Sequence, residues 1–157
     1  MFKKIILMVL VFNFANYTFA KEVQDSTVTK STSKKKTLAG KKLVIFVSSD
    51  NLQQVGMGFG IVLSAVKQGA TVTLVLGANT VKYALKEGQQ NIYFAKNKTP
   101  RMLLESALKS GVEIQLCSAN TDEMELDEDD FIDGVKLVIS TEIFTKVFED
   151  NTKVISF

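Results

Sequence analysis

Val112-Glu113-Ile114-Gln115-Leu116-Cys117-Ser118-Ala119-Asn120 is the stretch that decides how this chain folds. Its first part, up to Leu116, is an apolar run of strand length, and the polar residues after Cys117 read as the loop that follows a strand. Cys117 stands at the junction and is the only cysteine in 157 residues. In open α/β folds, ligands and chemistry gather at the carboxyl ends of strands. A lone thiol there can attack, carry a sulfur atom or pair with a partner's thiol, but it has no intramolecular disulfide partner. The bland alternative is a small buried hydrophobe, the usual environment of a free cysteine.

Upstream, Leu43-Val44-Ile45-Phe46-Val47 is a continuous β-branched and aromatic run, the signature of a strand buried on both faces, as in parallel sheets. Ser48-Ser49-Asp50-Asn51 ends it and supplies caps for a helix from Leu52 to Gln68. Gly56, Gly58 and Gly60 weaken the first turns of that helix but permit close packing on the sheet. Gly69 closes it. A strand at Val72–Leu76, the loop Gly77-Ala78-Asn79 and a short helix at Thr80–Lys86 come next. Residues 88–98 read as a loop with a small apolar piece, Ile92-Tyr93-Phe94. Thr99 caps a helix that has Pro100 at its first position, and Gly111 ends it.

Downstream of Cys117 the chain turns acidic, with eight Asp or Glu among the twelve residues from Asp122 to Asp133. A strand at Val135–Ile139, a helix at Thr141–Phe148 and a final strand at Lys153–Ser156 complete the pattern. Regular alternation of strand and helix predicts an α/β domain: a mainly parallel sheet of about five strands with helices on both faces.

The amino-terminal segment has a different character. Lys3 and Lys4 precede an apolar run, Ile5 to Phe12, too short to span a bilayer, and Thr18-Phe19-Ala20 offers small residues at a cleavage site. Residues 1–20 are therefore expected to be a signal peptide, and the protein periplasmic or secreted, with no membrane span after cleavage. Residues 21–40, rich in Lys, Ser and Thr, have too little apolar surface to repay ordering and read as a disordered linker. Residues 41–157 form the domain. Loss of Lys3 and Lys4 lowers the 19 basic residues to the number of acidic ones, 17, for a net charge of zero. No basic face with interleaved aromatics is present, which argues against nucleic acid as a partner. In an oxidising compartment an odd cysteine marks a reactive thiol or an intermolecular pair.

Several chemistries are excluded by residue type. Met57-Gly58-Phe59-Gly60 lacks both the G-x-G-x-x-G and the Gly-Lys-Ser/Thr patterns, so neither phosphate cradle is present. Asp127-Glu128-Asp129-Asp130-Phe131-Ile132 lacks the turn glycine of a calcium loop. With no histidine and one thiol, no transition-metal site is expected and Ser-His or Cys-His machinery is out of reach. Nothing in the sequence asks for a cofactor.

The quoted strands carry a resemblance. Leu43–Val47, the helix end Ala65-Val66-Lys67-Gln68-Gly69, the second strand Ala70–Gly77 and the segment Leu108–Cys117 are together similar to the DsrE/DsrF-like sulfur-relay family, whose fold is also called YchN-like. The resemblance covers about three quarters of the chain. It implies that Cys117 ends the strand whose cysteine can carry a persulfide. It also implies homo-oligomers, trimers or hexamers, and a protein that donates or accepts sulfur. Ser48, Asp50 and Asn79 follow the first two strands and are expected to line the same crevice as binding residues, or else to serve as helix caps. The alternative to a sulfur carrier is a non-catalytic oligomeric binding or assembly module in which Cys117 is structural.

Overall fold

Lys42–Val47 forms β1, and its alternate side chains go to opposite faces of the sheet: Leu43, Ile45 and Val47 to one, Val44 and Phe46 to the other. The computed structural model describes residues 37–88 and 97–157. The expected signal peptide, residues 21–36 of the linker and the Ile92-Tyr93-Phe94 piece lie outside the described residues. Residues 37–40, which the sequence assigns to the linker, form a turn. Leu38 packs on the core and its N–H donates to Gln68.

The elements follow as α1 (Leu52–Lys67), β2 (Thr71–Leu76), a 3-10 segment (Ala78–Ala84), α2 (Pro100–Lys109), β3 (Glu113–Cys117), α3 (Ser118–Glu123), a 3-10 turn (Glu128–Asp130), β4 (Val135–Val138), α4 (Ser140–Val147) and β5 (Thr152–Ser156). The five strands make one all-parallel sheet in the order β4-β3-β2-β1-β5. The expected parallel α/β architecture is present. One short helix is not as expected: Thr80–Lys86 is replaced by the 3-10 segment, in which Val81 and Ala84, three residues apart, share the buried side.

The larger core lies on the face covered by α1 and α2. It joins Ile45, Val47, Leu74, Leu76, Ile114 and Leu116 of the sheet to Val55, Phe59, Val62, Leu103 and Leu104 of the helices. Val44, Val75 and Val138 point to the opposite face, where Ile143 and Val147 of α4 cover them. Helices thus occupy both faces. Gly58 is needed for packing, since a Cβ there would come 2.8 Å from Val47 Cγ2. Gly60 is not, since nothing lies within 4 Å of its Cβ position.

The acidic run does local work. The Asp127 carboxylate accepts the Asp129 N–H at 2.9 Å, and the Asp127 N–H donates to Asp130 Oδ2 at 2.9 Å, closing a capping box. Lys86 Nζ reaches the Asp129 carbonyl at 2.8 Å and the Ile132 N–H donates to the Ala84 carbonyl, so the acidic turn is fastened to the 3-10 segment. Among the described residues no helix is long and apolar enough to cross a membrane.

Candidate functional site

Three strand ends meet at one edge of the sheet. The register pairs Val47 with Leu76 and Leu76 with Leu116, so the next residues, Ser48, Gly77 and Cys117, stand side by side where β1, β2 and β3 leave the sheet. At the usual strand spacing Ser48 is roughly 10 Å from Cys117, with Gly77 between them.

Each strand end is shaped by the chemistry of the residues that follow it. After β1, Ser48 donates its N–H to the Phe157 carbonyl at 2.9 Å and directs its hydroxyl to the same oxygen at 3.4 Å. Asn51, not Ser48 or Asp50, caps α1, its Oδ1 accepting the N–H groups of Gln53 at 2.9 Å and Gln54 at 3.3 Å. Asp50 is thereby left exposed, with no role as a cap.

After β2, Gly77 donates its N–H to Val47 at 3.1 Å. The fully buried Thr80 hydroxyl lies 2.6 Å from the Val47 carbonyl and 2.7 Å from that of Gly77, stapling the two strand ends together. Ala78 has φ +47°, a left-handed backbone uncommon for a residue with a side chain. Asn120 Oδ1, from α3, accepts the Ala78 N–H at 3.1 Å and holds that turn. The same oxygen lies 3.6 Å from the Cβ position of Gly77, and Ser48 Cβ lies 3.9 Å from it, so Gly77 is flanked on both sides by polar residues. Asn79 is exposed beside this turn.

After β3 the chain enters α3 at once, with Cys117 as the residue before its first turn. The segment expected to be a loop is therefore helical, and the buried Thr121 hydroxyl fastens it by donating to the Ser118 carbonyl at 3.0 Å. Cys117 is half-buried on the α4 side, where it is the register partner of Val138 and packs against the small apolar cluster to which Val138 and Ile143 belong. It is a free thiol.

Of the residues singled out in the sequence, Ser48 and Cys117 share the strand-end edge. Asp50 instead lies near Tyr83, whose phenol is pushed above its ordinary range first by burial and then by the Asp50 charge. Lys82 Nζ sits over the Tyr83 ring, 5.4 Å from its centre. Asn120 and Thr80 were missed as organisers of the edge. The only hint of Asn120 was its place in the polar segment after Cys117. Among the described residues no group of three or more His, Cys, Asp or Glu side chains is placed to hold a metal ion.

An all-parallel sheet with a thiol at the carboxyl end of an inner strand defines an α/β protein with a cysteine-centred edge. The chain belongs to the DsrE/DsrF/DrsH-like family, whose model matches residues 20–155. No curated protein matches it in sequence. Among solved structures, the ychN protein from E. coli superposes with a TM-score of 0.64 at 20% identity, over 74% of this chain and 99% of that one. The MTH1491 protein of unknown function from Methanobacterium thermoautotrophicum gives 0.61 at 14% identity, over 74% and 99%. The BT1422 protein of unknown function from Bacteroides thetaiotaomicron gives 0.55 at 17% identity, over 74% and 95%. At these identities the likeness is one of fold.

Proposed function

We propose that the protein accepts or presents sulfur on Cys117. The observation that supports this reading is the half-buried free thiol at the carboxyl end of β3 in a chain of the DsrE/DsrF/DrsH-like family. In the step envisaged, Cys117 loses its proton to solvent and the thiolate attacks the outer sulfur of a donor persulfide. The donor's S–S bond breaks as the Cys117 S–S bond forms, and the donor leaves as a thiolate. The sulfane sulfur changes carrier with no net oxidation. Ser48 and the backbone around Gly77 and Ala78 line the approach. Asn79, exposed beside the Ala78 turn, and Asp50, exposed in the loop after β1, are candidates for contact with the donor or acceptor.

Intact-mass spectrometry tests the proposal. Incubation with a small persulfide donor is expected to add one sulfur to the native protein and none to Cys117→Ser. A native protein whose Cys117 stays inert until it is unfolded overturns it. Export to the periplasm or beyond belongs to the same reading, and a mature chain beginning at Lys21 is the expected result of amino-terminal sequencing.

A second reading, an oligomeric assembly module, is favoured by one observation. Phe144 and Phe148 stand on the outside of α4 and just past its end, 57% and 81% exposed, with their rings 6.4 Å apart. Adjacent exposed aromatics of this kind mark contact surfaces. Sedimentation of the native chain is expected to show a trimer or hexamer and that of Phe144→Ser/Phe148→Ser a smaller species. A monomeric native chain removes this reading.

A further inference from the structure

The side chains that close the sheet face beside Cys117 come from α4, and little burial holds that helix in place. Ile143 belongs to the small apolar cluster with Val44, Val75 and Val138, and Val147 and Cys117 both pack against that cluster. The helix also starts next to the thiol: Val138, the register partner of Cys117, is followed at once by Ile139, the residue that precedes α4. Yet α1 buries six residues and α2 five, whereas α4 buries Ile143 alone. Ile139 gives no side-chain cap to the first turn, and Phe144 and Phe148 are exposed. A helix of two turns is not stable by itself in water. An element with so few buried apolar groups opens at a lower free energy than the domain around it.

Ion pairs add to what burial leaves thin. Lys146 Nζ, in the last turn of α4, lies 3.1 Å from Glu113 of β3 and 3.8 Å from Glu149. Glu149, just past the helix, is 2.9 Å from Lys42 of β1. The four side chains are 29–43% exposed, so dissolved salt reaches and screens them. Glu113 keeps a second partner, Lys136 Nζ at 3.5 Å, so loss of Lys146 does not leave its charge alone.

We propose that α4 is a detachable cover for Cys117, held shut by Lys146 and Glu149 and opened by local unravelling when those ion pairs are screened or removed. Closed, Ile143 and Val147 shield the apolar floor beside the thiol. Open, the thiol and that floor are presented together. As a control on sulfur transfer this rests on the carrier reading above, whereas the opening itself does not.

The test is the rate at which iodoacetamide, an uncharged reagent, alkylates Cys117 in the full native chain and in Lys146→Met and Lys146→Arg. Lys146→Met is expected to react about twofold to fivefold faster than the native chain. Lys146→Arg, which keeps the charge, should react at the native rate. The sign separates access from electrostatics, because removing a cation by itself disfavours the thiolate and slows alkylation. Raising salt from about 0.05 M to about 1 M should speed the native chain by a similar factor. Amide exchange in Lys146→Met should quicken at Ile143 and Val147 and stay unchanged at Ile45 and Leu74. An unchanged or slower alkylation rate in Lys146→Met overturns the proposal, as does exchange that quickens equally in the sheet. Should Lys146→Met fail to fold, the absence of a salt-driven rise in the native chain overturns it alone. The same proteins are then offered the small persulfide donor. If alkylation follows the opening of α4 but no sulfur is gained, the carrier reading falls and the cover stands. If sulfur is gained at one rate in the native chain and Lys146→Met, the carrier reading stands and the cover falls.

Discussion

Asn120 accepts the backbone N–H of Ala78 at 3.1 Å, across 42 positions of sequence. This one bond ties the helix after Cys117 to the turn after β2, and it holds Ala78 at φ +47°. Asn120→Ala leaves that N–H without its partner and is expected to cost about 1 kcal/mol. Amide exchange at Ala78 should quicken beyond that at the strand interiors. Unchanged exchange at Ala78 would show that the turn holds itself.

Two glycines one position apart from touching in α1 should respond oppositely to the same change. In Gly58→Ala the new methyl meets Val47 Cγ2 at 2.8 Å and the Phe157 ring at 3.2 Å. Overpacking of this kind costs about 1–3 kcal/mol. Gly60→Ala meets nothing within 4 Å and gains helix propensity, about 0.5–1 kcal/mol of stabilisation. Urea unfolding of the two variants decides it, and a shift of the same sign in both would contradict the packing described.

Thr80→Val keeps the shape of the side chain and removes its hydroxyl. The Val47 and Gly77 carbonyls then lose the donor that joins them. A cost of about 1–2 kcal/mol is expected in thermal or denaturant unfolding, because the site is fully buried and the lost bond is not replaced by water. A neutral result would mean that the strand ends hold together without the hydroxyl.

Acid should weaken the fold partly through Glu113. Burial alone would raise this carboxyl. Hydrogen bonds from Lys146 and Gln115, with the charges of Lys146 and Lys136, outweigh burial and hold it below the ordinary 4.5. A carboxyl depressed by folding contributes stability above its unfolded value and loses it as pH falls through its folded value. Glu113→Gln should therefore be less stable than the native chain at neutral pH, by about 0.5–1 kcal/mol for an ion pair of this exposure. The gap should close as pH falls below 4.5. A gap that stays constant down to acid pH would assign the loss to packing instead.

The strands were legible because parallel sheets write themselves as continuous apolar runs, and Leu43–Val47 and Val72–Leu76 carry that signal within one residue of the observed ends. Pro100 and Thr99 announced α2 for a local reason: the ring fixes φ and the hydroxyl caps, at 3.1 Å from the Met102 N–H. The 3-10 segment was not legible, since seven residues are too few to separate a period of three from one of 3.6. Nor was the role of Asn120, whose partner lies far away in sequence and is a backbone group that leaves no residue signature. The position of Cys117 at a strand end could be read directly. Its packing against the apolar cluster under α4 could not, because that depends on which face α4 takes.

The strand order has a consequence for how the chain comes into being. β1 is made first and sits inside the sheet, yet its outer neighbour, β5, is about a hundred residues further on. At ordinary rates of synthesis that interval is about 5–20 s. Throughout it, one side of Lys-Leu-Val-Ile-Phe-Val presents unsatisfied backbone groups along an apolar ribbon, an adhesive margin for any nearby strand. The nascent chain is thus exposed to mispairing for longest at the segment that later becomes one of its best-protected.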